Sequence, residues 1–232
     1  MLTNARIKQL RSLKEKKFRD ECGQFLVEGE KMVQEALGSG FQVIEVIRED
    51  PDIMARISNM TTPPPVIAVV ARPAPRSMRV DHELCLGLDS VRDPGNMGTL
   101  LRLADWFGIR RIFASMDCVE IYNPKVVQAS MGSIFRVETA YCDLPELCGR
   151  FRAAGMPVYG TFMDGDDVYS STLAREGLLI MGSESFGIGA EVAALCSTRL
   201  HIPSFAPEGK GPESLNVATA AAIILSEFRR RA

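Results

Sequence analysis

The sequence lacks the features that would place it in a membrane, a secretory route or a metal site. No stretch approaches the roughly 18 uncharged apolar residues of a membrane helix, and no apolar run follows the first basic residues. The six cysteines form no CxxC pair, and the two histidines are His82 and His201. We therefore expect reduced thiols, no metal and little material for a histidine-dependent triad. By default, these absences predict a cytoplasmic protein with no membrane partner.

Charge is divided unevenly along the chain. The net charge of −2 argues weakly against a nucleic-acid partner, but residues 1–80 carry 13 basic and 10 acidic side chains, whereas residues 81–232 carry 14 and 19. Residues 1–19 hold seven basic side chains and one acidic side chain. This run is either a solvated helix face or a surface that binds RNA phosphates. The candidate RNA contacts are Arg6, Lys8, Arg11, Lys14, Lys16 and Lys17.

The first third of the chain predicts a small α/β unit. Apolar residues at helical spacing predict an amphipathic helix over 3–18 with a basic outer face. Further patterns predict strands at 25–27, 43–47 and 66–70 and a helix at 30–37. Residues 72–77 contain two prolines and are typical of a linker. We therefore place a first domain at 1–76 and a second at 81–232.

The second domain predicts a larger alternation of strands and helices. Strand patterns occur at 84–88, 111–115, 157–162, 178–181 and 199–203, and helical patterns near 98–107, 123–131, 144–154 and 189–196. This alternation indicates a parallel sheet covered on both faces. A terminal helix at 215–231 is rich in alanine. Its small residues permit close approach to another helix, in this chain or in a second copy.

The first candidate site follows the strand at 84–88. A proline and two glycines predict a tight turn that exposes Asn96 and the start of a helix at the strand's carboxyl end, where ligands of open α/β sheets bind. Arg102 falls four residues after Gly98, so we expect it to point back toward that end. The alternative is an ordinary turn with a surface arginine.

The second candidate site is the glycine-rich turn after the strand at 178–181. It matches neither the dinucleotide GxGxxG pattern, nor the hydrolase GxSxG pattern, nor a phosphate-binding P-loop. Glu184 lies inside this turn. Its carboxylate either accepts hydrogen bonds from a substrate or locks the loop by bonding to backbone N–H groups.

The third candidate site joins Ile202 and Pro203 to the terminal helix. Ser214 is a plausible helix cap, with Leu215 and Asn216 in the first turn. Taken alone, these are ordinary capping residues.

Together and in this order, the three segments resemble the SpoU (TrmH-like) family of SPOUT methyltransferases. The matching motifs are Asn96-x-Gly98-x-x-x-Arg102, Gly182-x-Glu184-x-x-Gly187, and Ile202-Pro203 followed by Ser214-Leu215-Asn216-Val217. Residues 124–133 also resemble a segment common in that family. The similarity covers about residues 84–232, and residues 4–70 resemble the small substrate-binding domain often found before it.

The resemblance implies a fold, a reaction and a site. It implies a C-terminal parallel-sheet α/β knot, a homodimer and methyl transfer from S-adenosylmethionine to a ribose 2′-hydroxyl of ribosomal or transfer RNA. By motif position, Gly182, Ile202 and Leu215 would hold the cofactor. The polar catalytic site would consist of Asn96, Arg102, Glu184, Ser214 and Asn216. One departure is the segment 204–212, which is longer than the corresponding connection in the family. Its extra length would affect the local contacts with the cofactor.

The role of Arg102 and the presence of turnover remain open in the sequence. The family arginine at this position is usually described as a general base, but an arginine in a protein is not deprotonated at neutral pH. Gripping the adjacent phosphate and orienting the hydroxyl is physically easier, with water or another group taking the proton. The rivals are a non-enzymatic RNA-binding protein with a retained methyltransferase fold and an enzyme with a nucleotide cofactor.

Overall fold

The N-terminal part of the chain is a three-stranded antiparallel sheet with helices on both faces. The computed structural model describes residues 2–74, 80, 82–206 and 212–230, which leaves part of the predicted linker and part of the segment 204–212 outside the described residues. The strands run in the order β1-β3-β2. The elements are α1 Asn4–Ser12, α2 Lys16–Cys22, β1 Gln24–Glu28, α3 Glu30–Leu37, β2 Val43–Ile47, α4 Pro51–Ile57 and β3 Ile67–Ala71.

Alternate residues of this small sheet serve two different cores. Leu26 packs with the apolar residues of α1 and α4 on one face. Its neighbours Phe25 and Val27 face the opposite way and join a core that continues into the second half of the chain. Successive strand side chains point to opposite faces, so one short strand contributes to both cores. The small sheet is therefore packed against the rest of the protein.

The predicted helix over 3–18 is wrong, because the chain forms two helices there. α1 ends at Ser12, and α2 begins at Lys16 after Glu15 adopts an extended conformation. The guanidinium of Arg19 donates to the carbonyl oxygens of Leu13 (2.9 Å) and Lys14 (2.7 Å) at the break. These bonds satisfy backbone acceptors that a continuous helix would have used.

The second half is a six-stranded sheet in which every strand pair is parallel. Its order is β6-β5-β4-β8-β7-β9. The strands are β4 Leu84–Leu88, β5 Arg111–Ala114, β6 Glu138–Tyr141, β7 Val158–Asp167, β8 Gly177–Met181 and β9 Thr198–His201. The central strands β4 and β8 are buried along their whole length. The predicted sheet is confirmed, with β6 as a strand that the sequence patterns did not indicate.

Helices cover both faces of the large sheet. They are α5 Pro94–Trp106, α6 Pro124–Ser130, α7 Leu144–Ala153, α8 Ala190–Leu195 and α9 Val217–Arg230, with a 3-10 turn at Ser133–Phe135. α5 begins at Pro94, four residues before the predicted start, because Asp93 caps it by accepting the N–H of Asn96. Gly98 therefore lies inside the helix, where its missing side chain lets α5 approach Ala129 of α6. α9 packs on α5 and buries Ala218 and Ala221 within this chain.

A buried ion pair links the two halves. Arg19 is 2% exposed, and its guanidinium contacts the Glu120 carboxylate at 2.5 Å. Nearby, the rings of Phe25 and Tyr122 lie 4.7 Å apart. Arg19 belonged to the basic run of residues 1–19, but the structure uses it to hold the small sheet on the large unit.

Candidate active site

The site lies where β4 and β8 end. These two strands are hydrogen-bonded neighbours, although about ninety residues separate them in sequence. From β4 the chain moves to β5 and β6 on one side, and β8, β7 and β9 lie on the other side. Ligands of parallel α/β sheets bind beyond the carboxyl ends of the strands at such a reversal. The motif after β4 and the motif after β8 are brought together at this point.

Three predicted catalytic residues form one hydrogen-bonded chain. The side-chain N–H of Asn216 donates to Asn96 Oδ1 at 2.9 Å. The Nδ2 group of Asn96 in turn donates to the Glu184 carboxylate. Each amide therefore uses its oxygen and its nitrogen, which fixes both amide orientations. These two hydrogen bonds fix the Glu184 carboxylate relative to the first turn of α5, which carries Asn96, and to the start of α9, which follows Asn216.

Glu184 projects from a closed loop that requires glycine at its base. A Cβ atom on Gly182 would lie 2.2 Å from the carbonyl carbon of Gly187. Ser183 and Gly187 exchange two backbone hydrogen bonds of 3.0 and 2.9 Å, and Gly187 has a φ of 66°. A backbone N–H was the expected partner of this carboxylate, but the side-chain N–H of Asn96 donates to it instead.

A pocket of about 750 Å³ opens beside this loop. It contains all three predicted cofactor residues together with Glu184 and Ser214, and apolar residues of α9 form part of its wall. The exposed rings of Phe186 and Phe205 border it. Its lining is Thr161, Phe162, Met163, Asp164, Met181, Gly182, Ser183, Glu184, Ser185, Phe186, Gly187, Ile188, Leu200, Ile202, Pro203, Ser204, Phe205, Pro212, Glu213, Ser214, Leu215, Val217, Ala220 and Ile224.

The predicted cap of the terminal helix is off by two residues. α9 begins at Val217, and the side-chain oxygen of Asn216 accepts the N–H groups of Ala218 (3.0 Å) and Thr219 (3.3 Å). Asn216 is therefore the cap, and Ser214 lies before it in the pocket wall. The same amide caps α9 and holds Asn96, so the helix start is part of the site.

Within one protein molecule, Arg102 lies apart from the other predicted catalytic residues. It is exposed and lines a separate pocket with Trp106 and Arg136. Because α5 begins at Pro94, Arg102 lies about two turns into the helix and not one. No hydrogen bond or ion pair joins its guanidinium to another residue of the described ranges. Its charge is available to a ligand or to a second protein chain.

The predicted RNA-binding residues lie on α1, α2 and the turn between them. Five of the six are exposed, and Arg6 is half-buried and ion-paired with Glu45. Lys16 and Lys17 pair with acidic residues one turn later, and Lys14 donates to a backbone carbonyl of residue 58 at 2.8 Å. Lys8 and Arg11 form no ion pair with a described residue. Contacts within the protein therefore already engage four of the six.

Asp89 was missed by the sequence reasoning. It follows β4 directly, is 9% exposed, and accepts the backbone N–H of Gly189 at 2.8 Å and the hydroxyl of Ser90 at 3.3 Å. The Ser90 hydroxyl also lies 2.8 Å from Asp117, whose pKa is held well below its ordinary value by a hydrogen bond from Ser115. A carboxylate at the end of a buried strand was the available signal. Asp89 ties the Glu184 loop to β4.

Comparison with known proteins identifies the family. The profile of the SpoU rRNA Methylase family matches residues 83–226, and that of the MRM3-like substrate binding domain matches residues 4–51. The chain belongs to the SpoU rRNA methylase family. The confirmed fold is that of the SPOUT methyltransferases, preceded by a substrate-binding domain.

Relatives of known name cover nearly the whole chain. The 23S rRNA (guanosine(2553)-2′-O)-methyltransferase RlmP of Bacillus subtilis is 29% identical over 97% of this chain and 96% of its own length. A Porphyromonas gingivalis structure assigned to TrmH-family RNA methyltransferases has a TM-score of 0.91 and 40% identity, with complete coverage of both chains. The SpoU methyltransferase AviRb of Streptomyces viridochromogenes, in complex with AdoMet, has a TM-score of 0.86 and 28% identity over 99% of this chain and 98% of its own.

The pocket beside β8 suits the cofactor of SpoU methyltransferases, S-adenosylmethionine. Its volume is within the range of roughly 300–1,000 Å³ typical of ligand sites. Gly182 closes the loop that borders this pocket, since a side chain there would meet the Gly187 backbone, and Leu200 and Ile224 supply apolar wall. Across the described ranges, no three His, Cys, Asp or Glu side chains group as metal ligands. No helix in the described part of the chain has the length and apolar character needed to cross a membrane.

Proposed function

We propose that this protein transfers a methyl group from S-adenosylmethionine to the 2′-hydroxyl of a ribose in ribosomal or transfer RNA. The observation that carries the proposal is the hydrogen-bonded chain Asn216–Asn96–Glu184 at the edge of a cofactor-sized pocket. It joins the three SpoU motifs in one site. The 23S rRNA 2′-O-methyltransferase RlmP, which matches over 96% of its length, supports ribosomal RNA as the first substrate to test.

Gly182, Ile202 and Leu215 would hold the cofactor, together with the backbone of their loops. All three line the same pocket, and they come from three different segments of the chain. S-adenosylmethionine supplies an electrophilic methyl group on a sulfonium. The task left to the protein is to place a ribose oxygen in line with that methyl group.

The polar residues would orient the ribose and not act as strong bases. Glu184 is a fixed hydrogen-bond acceptor at the pocket edge, because Asn96 already holds its carboxylate. We assign Arg102 to an RNA phosphate, where a guanidinium forms two charge-assisted hydrogen bonds. The ribose oxygen would lose its proton to water as it takes the methyl group, whose bond to the sulfonium sulfur breaks to leave a neutral thioether. Ser214 lines the pocket and completes the polar set.

The basic surface of α1 and α2 would hold the RNA backbone. Lys8 and Arg11 are exposed and make no ion pair among the described residues, so their charges are available to phosphates. Lys14, Lys16 and Lys17 are exposed beside them, and Arg6 lies at the edge. Phosphate contacts position a nucleic acid without reading its sequence. We place this surface in a substrate-binding domain spanning 1–76 and the catalytic domain at 81–232.

A homodimer in the cytoplasm is the assembly we propose. Arg102 lies outside the cofactor pocket of its own chain and is free of described partners. A second copy that brings the cofactor pocket of one chain close to the Arg102 of the other would complete the polar set. The alanines Ala218 and Ala221 of α9 are buried inside the chain, so the dimer would use other residues.

The proposal is tested by methyl transfer with product analysis. The purified protein is incubated with isotopically labelled S-adenosylmethionine and total RNA from cells that lack the gene, and the RNA is digested to nucleosides. Label in a 2′-O-methyl nucleoside is expected. Label on a base, or none from a folded protein, would contradict the proposal. Calorimetric titration with S-adenosylmethionine, NAD and ATP distinguishes a methyltransferase from an enzyme with a nucleotide cofactor. RNA binding without turnover would indicate a non-enzymatic RNA-binding protein.

A further inference from the structure

A second pocket opens where the small sheet unit meets the large one. Its volume is about 410 Å³, within the range of ligand sites. Glu35 of α3, in the small unit, reaches its edge and pairs with Arg136 of the large unit. We call it the junction pocket, lined by Arg102, Asp105, Trp106, Met131, Ser133 and Arg136.

The polar wall of the junction pocket is held rigidly. Asp105 Oδ2 accepts from the Ser133 hydroxyl and from Arg136 Nε, each at 2.8 Å. Arg136 also donates from Nη1 to Glu35. The positive charge of Arg136 is therefore balanced by two acids, Asp105 and Glu35, which fix its guanidinium. This wall is therefore preformed.

The opposite wall is open and aromatic. Trp106 is 84% exposed at the end of α5, four residues after Arg102. Residues four apart on a helix are neighbours on one face. A large indole in solvent beside a free guanidinium is typical of sites where unpaired RNA bases stack on aromatic rings and arginine planes.

We propose that the junction pocket holds one unpaired base of the substrate RNA, stacked on Trp106 beside the ribose-phosphate gripped by Arg102. The inference rests on the proposed function, since it places this base next to the target nucleotide. RNA is favoured over a second protein chain for two reasons. Arg102, assigned to an RNA phosphate, lines the pocket. The pocket also borders the small unit that carries the basic surface.

The single tryptophan of the chain makes a direct test possible. Trp106 is the only tryptophan in the sequence, so tryptophan emission reports on this position alone. In the free protein at every concentration, we expect emission typical of an exposed indole and ready quenching by acrylamide. A mixed-sequence single-stranded RNA 12-mer should reduce the emission and protect it from acrylamide. A 12-mer of the same charge that carries abasic sites throughout should bind but change neither.

Two substitutions measure the contribution to turnover. Stacking free energies predict that Trp106→Ala raises the RNA KM by about five-fold or more. Trp106→Phe, which keeps an aromatic face, should stay within about three-fold of the unsubstituted protein. In both variants the affinity for S-adenosylmethionine should be unchanged, since Trp106 does not line the cofactor pocket.

Each outcome decides between occupants. If emission is already shielded in the free protein, becomes more shielded as the dimer forms and does not respond to RNA, a second copy covers Trp106 and the inference is wrong. Equal quenching by the abasic 12-mer, or an unchanged KM in Trp106→Ala, also overturns it. If the unsubstituted protein transfers no methyl group to RNA, the proposed function fails instead, whatever the fluorescence shows.

Discussion

Asn216 donates a side-chain hydrogen bond of 2.9 Å to Asn96 across 120 residues of sequence. The bond joins the first residue before α9 to the first turn of α5, and Asn96 passes the connection on to Glu184. Two helix starts and one strand-end loop are therefore fixed relative to one another. The geometry gives Asn96 a central role that its neighbours do not share, because it is the member bonded to both others.

Substitution of Asn96 should affect turnover more than cofactor binding. Asn96→Ala removes the donor to a carboxylate, a bond worth about 1.5–3 kcal/mol, so kcat should fall by roughly 10- to 150-fold. Asn96→Asp has the same shape but places a second carboxylate beside Glu184 and should be at least as damaging. Steady-state kinetics and calorimetry measure the two effects. Full turnover in Asn96→Asp would remove this hydrogen bond from the account.

Gly182→Ala should weaken cofactor binding. The new methyl group would meet the backbone of Gly187 at 2.2 Å, so the loop that carries Glu184 must move. We expect the Kd of S-adenosylmethionine to rise more than ten-fold. Gly149→Ala is the matched control, because no atom lies within 4 Å of its added Cβ. It should leave the Kd unchanged and stabilise α7 by about 0.5–1 kcal/mol. Equal cofactor affinity in both variants would contradict the proposed cradle.

Loss of Arg19 should destabilise the protein. Arg19→Met leaves the Glu120 carboxylate buried with Arg72 as a weaker partner at 3.6 Å, and breaking a buried pair costs about 3–5 kcal/mol. The urea midpoint measures this change. The double variant Arg19→Met/Glu120→Leu should recover part of the loss. Arg48→Met, in an ion pair that is exposed on both sides, is the control and should scarcely move the midpoint. A similar midpoint for Arg19→Met and Arg48→Met would disprove the structural role.

Neutralisation of the basic surface should reduce the salt dependence of RNA binding. Each phosphate contact to single-stranded RNA contributes about 0.7 to the slope of log K against log salt. Lys8→Ala/Arg11→Ala should therefore lower the slope by about 1.4, and neutralising Lys14, Lys16 and Lys17 together by about two, if all of these residues contact RNA. Lys125→Ala on the large unit is the control. Unchanged slopes in both sets would show that this helix surface is merely solvated.

The sequence predicts best those parts of the site whose geometry depends on residues that are close together in the sequence. Gly182 and Glu184 lie in one tight turn, and the turn chemistry alone indicates a fixed carboxylate. The order of the strands that brings Asn96 to Glu184 is a property of the whole sheet, and the expectation that these two residues share a site came from the family resemblance and not from periodicity. This explains why three motif residues meet as expected.

The failures have local physical causes. The helix over 3–18 breaks because Arg19, counted as a surface charge, is buried and takes the released carbonyls. Arg102 was expected to point back to the end of β4 from one turn into the helix, but the cap by Asp93 starts α5 at Pro94, so Arg102 lies about two turns in and lines the junction pocket of its own chain. β6 is half-buried along its length and lacks an apolar run. Long-range ion pairs and caps of this kind leave no periodic pattern.

The central claim is tested most directly by mapping 2′-O-methyl sites in total RNA from cells with and without the gene. The account predicts that at least one ribose methylation disappears with the gene and returns with the unsubstituted gene. It should not return with Arg102→Ala. Because Arg102 is exposed, this substitution should scarcely change stability and should leave cofactor affinity within a few-fold. Identical 2′-O-methyl maps with and without the gene, or full rescue by Arg102→Ala, would contradict the account.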